Sequence, residues 1–344
     1  MSSKIPVIDF SLFTDGDAAG RRAVAKSITA AFAAHGFVRL INHPVSSSTV
    51  SQAFRQSKLF FDLPISSKSR APNPPDSKVN RGFSYPSPEK VSNLAATANG
   101  SNGVNGADES SKEPAQRVPD AKETYDIGSE HNAEQPNVWP PPNLVPGFRG
   151  FMTGFYWTLA GFSRELLRAL ALGINLEEDH FLEFYSAQDN QLRLLHYPEI
   201  EAAKLEEGRA VRVAAHRDWS AFTILFQDDC GGFEIESPTE PGKFVPVEPI
   251  EDSCLVNIGD LMARWSNDTL MSTSHRVGIP PLLQNRCAGD KRTTQSRHSI
   301  GYFVSPMPDT VIKCLPTCYD AEHPAKYAPV TQREYNVSKA SMQC

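Results

Sequence analysis

The sequence predicts an α+β fold in which helices dominate the first half of the chain and a jelly roll of short strands makes up the second half. Helical patterns occur before residue 62 and again over 148–171, where apolar residues recur every three or four positions. From residue 191 onwards, short β-rich runs are separated by turns rich in Gly, Asp and Pro. Helices first and strands afterwards, without βαβ alternation, favour an α+β jelly roll.

The first half begins with a short apolar strand and continues with two strong helical patterns. The expected elements are a strand over 5–10, a helix over 20–34 ended by Gly36, a strand over 37–41, a helix over 48–61 and, after the long helix, a short helix opening near 176–179.

Eight short strands are expected in the second half of the chain. They are predicted over 191–198, 210–226, 233–235, 244–246, 254–258, 275–278, 299–304 and 310–312.

One segment has a different composition from the rest. Residues 91–118 are rich in Ala, Asn, Gly and Ser and almost free of large apolar side chains, so they cannot bury enough surface to offset the entropy of ordering. We expect a disordered surface insertion rather than a domain linker, because the strands before it are too few to close a core. We therefore predict one domain over 1–344, with an N-terminal α/β portion over 1–90 and a core of one helix plus the jelly roll over 148–320.

Composition excludes several classes of function. The chain has 344 residues and a net charge of −6 without a basic cluster, which argues against a nucleic-acid partner. No apolar run approaches the length of a membrane span, and the first residues lack a signal-peptide pattern. The six Cys are scattered without a Cys-x-x-Cys pair, which indicates reduced thiols and a cytoplasmic protein. The oligomeric state stays open.

The first candidate site lies in the stretch from Ala215 to Phe226. Side chains two apart in a strand share a face, so His216 and Asp218 point the same way and form half of a metal site. A His-x-Asp pair is equally compatible with a buried histidine hydrogen-bonded to its neighbour. The context of the pair therefore decides between these two interpretations.

His275 is the best candidate for a third ligand. A jelly roll folds distant strands side by side and can bring His275 next to the pair, although a surface histidine beside Arg276 is the alternative. Two His and one carboxylate on one face of an octahedral ion leave three positions open, as in non-haem Fe(II) oxygenases.

Further polar residues suggest a binding site for a dicarboxylate. Arg297 and Ser299 share a face, and a guanidinium grips a carboxylate in a bidentate manner while a hydroxyl adds one hydrogen bond. The alternative is a solvated arginine in a basic run. Tyr197 could donate another hydrogen bond, and Arg193 on the same face is either a substrate contact or a strand-edge residue.

Several stretches together resemble the isopenicillin N synthase-like branch of the Fe(II)- and 2-oxoglutarate-dependent dioxygenases, in particular its fungal members. The matching stretches, in family order, are Ile5-Pro6-Val7-Ile8-Asp9, Gly36-Phe37, Asn42-His43, Leu192-Arg193-Leu194-Leu195-His196-Tyr197-Pro198, His216-Arg217-Asp218, Asn257-Ile258-Gly259-Asp260, His275-Arg276-Val277 and Arg297-His298-Ser299. The resemblance implies a distorted double-stranded β-helix.

The resemblance also implies roles for the candidate residues. It makes His216, Asp218 and His275 the ligands of Fe(II), and it has Arg297, Ser299 and Tyr197 hold 2-oxoglutarate. The chain departs from the family in having Pro44 after Asn42-His43 and a longer gap between His275 and Arg297. We expect residues 279–295 in that gap to form a lid or rim.

The implied function is oxidation of a C–H bond, by hydroxylation or a related outcome, in a small organic substrate, with Fe(II), 2-oxoglutarate and O2. The fungal resemblance points to secondary metabolism. The candidate pocket residues are Phe83, Tyr85, Arg193, Trp219 and Phe303. Two alternatives stay open at this point: an oxidase of the same fold that does not use 2-oxoglutarate, and a non-catalytic jelly-roll binding module.

Overall fold

Two facing β-sheets, a further two-stranded sheet and a layer of helices make up the described part of the protein. The structure is a computed structural model, and it describes residues 5–75, 80–85, 120–280 and 292–342. The strands are β1 (Val7–Asp9), β2 (Phe37–Ile41), β3 (Gly82–Ser84), β4 (Glu123–Ile127), β5 (Gln191–Tyr197), β6 (Val213–His216), β7 (Phe222–Gln227), β8 (Phe233–Glu236), β9 (Phe244–Pro246), β10 (Ser253–Ile258), β11 (His275–Val277), β12 (Arg297–Val304), β13 (Val311–Ile312) and β14 (Val330–Thr331).

The helices lie mainly in the first half of the chain. They are α1 (Ser11–Thr14), α2 (Ala18–His35), α3 (Ser47–Phe61), α4 (Ile65–Lys68), α5 (Phe148–Gly173), α6 (Ala202–Glu206), α7 (Asp260–Trp265) and α8 (Gln332–Met342). The α2 helix begins where the Asp17 side chain accepts a hydrogen bond from the Gly20 backbone N–H (2.8 Å). It ends at Gly36, whose φ of 69° is the left-handed cap expected from the sequence.

The larger sheet has eight strands in the order β1-β2-β10-β7-β12-β5-β4-β3. Strand β2, from the N-terminal part of the chain, pairs antiparallel with β10, and β1 pairs parallel with β2. The N-terminal strands and the jelly-roll strands are therefore parts of one hydrogen-bonded sheet.

The smaller sheet has four strands in the order β6-β11-β8-β9 and packs against one face of the larger sheet. A small apolar core joins the two sheets, with Phe37, Tyr197 and Leu255 from the larger sheet and Phe233 and Val277 from the smaller one. The opposite face of the larger sheet packs on a larger core that includes buried side chains of α2 and α5. This arrangement confirms the predicted α+β jelly roll.

Two of the predicted elements were wrong. The strand expected over 210–226 is two strands, β6 and β7, which lie in different sheets because the chain turns between residues 217 and 221. The helix expected near 176–179 is a turn, followed by a short 3-10 helix over Leu182–Tyr185. Its acidic side chains bind neighbouring helices instead, since Asp179 pairs with Arg168 of α5 (2.7 Å).

Some sequence predictions fall outside the described residues. They are the insertion over 91–118 and most of the rim expected over 279–295. Among the helices of the described ranges, none has the length and apolar character needed to cross a membrane.

Candidate metal centre and dicarboxylate site

The three predicted metal ligands lie together where β6 meets β11. His275 is directly opposite His216 in the β6–β11 register, and Asp218 follows in the turn after β6. Asp218 Oδ1 lies 3.6 Å from His216 Nε2 and 3.7 Å from His275 Nε2. Two atoms that each bind one ion at about 2.1 Å can be at most about 4.2 Å apart, so these distances suit a shared metal ion.

Backbone carbonyls fix the orientation of both imidazole rings. Nδ1 of His216 donates to the Ala214 carbonyl (2.9 Å) and Nδ1 of His275 donates to the Thr273 carbonyl (3.2 Å). A carbonyl oxygen only accepts, so each Nδ1 carries the proton and each Nε2 keeps its lone pair for a metal.

The two oxygens of the Asp218 carboxylate have different neighbours. Its Oδ1 faces the imidazoles, whereas its Oδ2 accepts hydrogen bonds from the Thr223 hydroxyl (2.6 Å) and the Asn257 amide (2.8 Å). Burial would raise the pKa of Asp218, but His275, His216 and these hydrogen bonds outweigh burial and keep that pKa below its usual value. The carboxylate is therefore held ionised and aimed at the cluster.

The environment also keeps His275 neutral. Burial, together with the neighbouring His216, lowers the pKa of His275 to about 4 although Asp218 opposes the change. Only 7% of His275 is exposed, so the alternative of a surface histidine is excluded. A neutral imidazole is the form that binds a metal ion.

Backbone hydrogen bonds from the two residues after β10 stabilise the turn that carries Asp218. The Asp260 backbone N–H donates to the Asp218 carbonyl (2.7 Å), and the Gly259 N–H donates to the Ala221 carbonyl (2.9 Å). A Cβ at Gly259 would lie 2.1 Å from the Ser220 carbonyl oxygen, which explains the glycine at this close approach.

The predicted dicarboxylate residues lie together on the face of the larger sheet that points towards the smaller sheet. Arg297 is opposite Tyr197 in the β12–β5 register, and its guanidinium carbon is 4.9 Å from the tyrosine ring centroid. Its Nη1 donates to the Ser299 hydroxyl oxygen (3.1 Å), and its Nε donates to the Gly231 carbonyl (3.0 Å). Arg297 is only 1% exposed, so it is not a solvated arginine.

Several buried donors around Arg297 have no acceptor within the described part of the chain. Gln227, whose Oε1 accepts from Arg297 Nη2 (3.2 Å), has an unpartnered Nε2. Arg212, which is 1% exposed, has unpartnered Nε and Nη1 atoms. Each unsatisfied buried donor costs about 1–3 kcal/mol. A carboxylate is an acceptor-only group, so this donor set fits the distal carboxylate of a dicarboxylic acid.

Arg193 lies in the interior of the larger sheet. Its strand, β5, runs between β12 and β4, so the strand-edge interpretation was wrong. The Arg193 Nε donates to Asp126 Oδ1 (2.7 Å), which satisfies the expectation that an inward arginine needs an anionic partner. Its guanidinium carbon is 5.7 Å from the centroid of the Phe303 ring.

The other candidate pocket residues have different environments. Trp219 is half-buried in the turn directly after Asp218. Phe83 was wrong as a pocket residue, because it packs in the larger core with its ring 5.9 Å from that of Phe60. Tyr85 is 53% exposed at the end of the described segment.

Sequence reasoning missed the residues that form hydrogen bonds with the predicted site residues. Thr223 and Asn257 are polar residues with apolar neighbours on both sides in their strands, and that contrast is a usable signal. Arg212 and Asp126 carry no comparable signal, because only the folded chain brings them next to Tyr197 and Arg193.

Two family models match the chain. The model described as non-haem dioxygenase in morphine synthesis N-terminal matches residues 5–142, and the model described as 2OG-Fe(II) oxygenase superfamily matches residues 188–306. Together they cover both the N-terminal portion and the jelly roll that holds the candidate site.

Curated relatives and a solved structure agree with this match. The 2-oxoglutarate-dependent dioxygenase frbA of Dothideomycetidae sp. is 34% identical over 97% of this chain and 96% of its own length. The proline hydroxylase buaE of Petromyces alliaceus is 33% identical, with 96% and 97% covered. A full-length Neurospora crassa protein, whose crystal structure is in complex with alpha-KG and thymine, is 34% identical, with a TM-score of 0.83 over 99% of this chain and 97% of that chain.

The fold and the site thus define a non-haem iron oxygenase, and the chain belongs to the 2OG-Fe(II) oxygenase superfamily. It is an Fe(II)- and 2-oxoglutarate-dependent dioxygenase that uses O2 as the second cosubstrate. The predicted family, enzyme class and cosubstrates are confirmed. A 2-oxoglutarate-independent oxidase and a non-catalytic binding module are not supported.

Removing the Thr223 hydroxyl tests how far Asp218 depends on its hydrogen bonds. We expect Thr223→Val to weaken Mn(II) binding about 10–100-fold, because partners of this kind orient a ligating carboxylate, while Thr223→Ser stays near wild type. Titration followed by electron paramagnetic resonance measures the affinity. Thr310→Val is the matched control, since the buried Thr310 hydroxyl has no hydrogen-bond partner in the described ranges. Wild-type Mn(II) affinity in Thr223→Val would contradict the assignment.

Proposed function

We propose that this chain, acting as a single catalytic domain, binds Fe(II) through His216 Nε2, Asp218 Oδ1 and His275 Nε2. The observation that carries the proposal is the arrangement of these three atoms, with both Nδ1 protons bound by backbone carbonyls and Asp218 Oδ2 bound by two side chains. Two imidazoles and one carboxylate leave coordination positions for 2-oxoglutarate and O2.

We propose that the buried polar residues around Arg297 orient 2-oxoglutarate. Arg297 and Ser299 would hold the distal carboxylate, and Tyr197 would add a hydrogen bond from a hydroxyl that has no partner in the described ranges. The apolar side chains between the two sheets, among them Phe37 and Leu255, exclude water from the space around it. The keto acid end would then face the metal ligands.

Bound iron supplies the oxidising chemistry, in which decarboxylation of 2-oxoglutarate to succinate and CO2 is coupled to oxidation of a substrate C–H bond. The protein contributes binding, orientation and the exclusion of water. His216 is 40% exposed at its side chain, whereas His275 and Asp218 are buried, so the site opens on the His216 side. Trp219, which is half-buried and directly follows Asp218 in the chain, is a proposed substrate contact.

We assign the second proposed substrate contact to Arg193. It belongs to a polar group in which Asp126 Oδ1 also accepts from the Gln191 amide (2.6 Å). The other oxygen, Asp126 Oδ2, is buried and has no hydrogen-bond partner in the described part of the chain. The Phe303 ring lies beside the guanidinium. A flat face next to a polar edge suits a small organic molecule that offers a hydrogen-bond donor.

The relatives support a small polar substrate. One of them is called a proline hydroxylase, and the Neurospora crassa protein is solved with thymine and with 5-formyluracil. We propose hydroxylation of a small organic molecule of this size in fungal-type secondary metabolism. A cytoplasmic location and the lack of a nucleic-acid partner are part of the proposal, supported by the net charge of −6 and by the four free cysteines of the described ranges.

A coupled turnover screen tests the proposal. With Fe(II), 2-oxoglutarate, O2 and a panel of small cyclic amino acids and nucleobases, we expect succinate release to match substrate oxidation, because decarboxylation and C–H oxidation are coupled. His216→Ala should lower succinate release at least about 100-fold. His323→Ala, at a histidine whose side chain is 77% exposed, is the control. Full succinate release by His216→Ala would exclude the proposed iron site.

A second measurement tests Arg193. Once a substrate is found, Arg193→Gln should raise its KM about tenfold or more, since a charged hydrogen bond is lost, and should leave 2-oxoglutarate affinity within about twofold. Arg276→Gln, which removes a half-exposed arginine paired with Glu234 on the smaller sheet, is the control. An equal loss of 2-oxoglutarate affinity would show that Arg193 does not belong to the substrate site.

A further inference from the structure

Arg212 is a buried arginine that the proposed function does not yet use. It lies directly before β6, is 1% exposed and is one of the largest fully buried side chains of the described ranges. Its one hydrogen bond to the backbone runs from Nη2 to the Gln295 carbonyl (2.5 Å). Nε and Nη1 have no partner in the same ranges. A buried guanidinium with two unused donors is costly unless a ligand accepts from it.

Arg212 lies near the residues that we propose bind the distal carboxylate of 2-oxoglutarate. Its guanidinium carbon is 5.8 Å from the Tyr197 ring centroid, and that of Arg297 is 4.9 Å from the same ring. No carboxylate of the described residues lies within 4.0 Å of either guanidinium. Two buried cations therefore share one aromatic neighbour, and neither forms an ion pair within the described part of the chain.

The electrostatic environment of Arg212 favours the binding of an anion beside it. Burial lowers the pKa of Arg212, the Cys230 thiol opposes this change, and the nearby Arg297 lowers the pKa further. The two buried guanidiniums thus repel each other. An acceptor-only ligand between them would relieve the repulsion and satisfy the unused donors.

We propose that Arg212 is a second arginine of the 2-oxoglutarate site, a positioning residue that selects cosubstrates carrying a distal carboxylate. This inference rests on the proposed function, and it extends the Arg297–Ser299 pair to a two-arginine clamp. Arg297 binds the carboxylate from β12, and Arg212 approaches it from the position directly before β6, the strand that carries His216. The clamp therefore ties the cosubstrate to both sheets.

Binding of two keto acids separates this role from a structural one. The ligands are 2-oxoglutarate and 2-oxopentanoate, which has the same five-carbon chain with a methyl group in place of the distal carboxylate. Isothermal titration of the Mn(II)-loaded full chain gives Kd for each ligand without turnover. The variants are Arg212→Gln and Arg212→Lys. Arg297→Gln is the positive control, and Arg209→Gln, at an exposed arginine paired with Glu207, is the matched control.

We expect Arg212→Gln to raise the Kd of 2-oxoglutarate about tenfold or more and to change that of 2-oxopentanoate less than about twofold. Arg212→Lys should lie between wild type and Arg212→Gln, because it keeps the charge but loses the planar pair of donors. If only Arg212→Lys folds, a selective loss for 2-oxoglutarate in that variant supports the proposal, and wild-type values for both ligands overturn it.

Three results would overturn the inference. They are an unchanged 2-oxoglutarate Kd in Arg212→Gln, an equal loss for both keto acids, and an equal effect of Arg209→Gln. The proposed function has a separate failure signature, since a wild-type protein that does not bind 2-oxoglutarate with Mn(II) would contradict the cosubstrate site as a whole.

Discussion

The Asp218 carboxylate is the group on which the rest of the site depends. One oxygen accepts from Thr223 and Asn257, so the other oxygen is fixed towards His216 and His275. Burying an ionised carboxylate is costly unless each oxygen has partners. Thr223 and Asn257 are the partners of Oδ2, and a bound metal ion would be the partner of Oδ1. The turn after β6 is stabilised by backbone hydrogen bonds from Gly259 and Asp260, which directly follow β10.

Pairing of distant strands sets the second constraint, which is the position of the predicted metal ligands relative to Arg297 and Tyr197. His275 meets His216 only through the β6–β11 register, and Arg297 meets Tyr197 only through the β12–β5 register. The small core between the sheets holds these two pairs at a fixed separation. A shift of β12 by one residue would turn Arg297 and Ser299 away from the interior, because successive side chains alternate between faces.

The sequence was sufficient for the class of fold and for residues whose chemistry is rare in a strand. The grouping of His216, Asp218 and His275 and the position of Arg297 beside Ser299 were predictable from residue types and their order along the chain. Asp218 joins the group from the turn after β6, however, and not through strand alternation. The break between β6 and β7 was not predictable, because residues 217–221 contain neither Gly nor Pro to mark a turn. The backbone hydrogen bonds from Gly259 and Asp260 reveal the turn in the structure. The environments of Arg193 and Arg212 were harder still to predict, since the partner of a buried arginine is defined by tertiary packing and not by local sequence pattern.

Anomalous X-ray scattering at the iron edge, from crystals soaked anaerobically with Fe(II) and 2-oxoglutarate, tests the central claim most directly. We expect one strong anomalous peak within bonding distance of His216 Nε2, Asp218 Oδ1 and His275 Nε2, with 2-oxoglutarate extending from that peak towards Arg297. A strong peak at any other place, or 2-oxoglutarate bound away from this cluster, would contradict it.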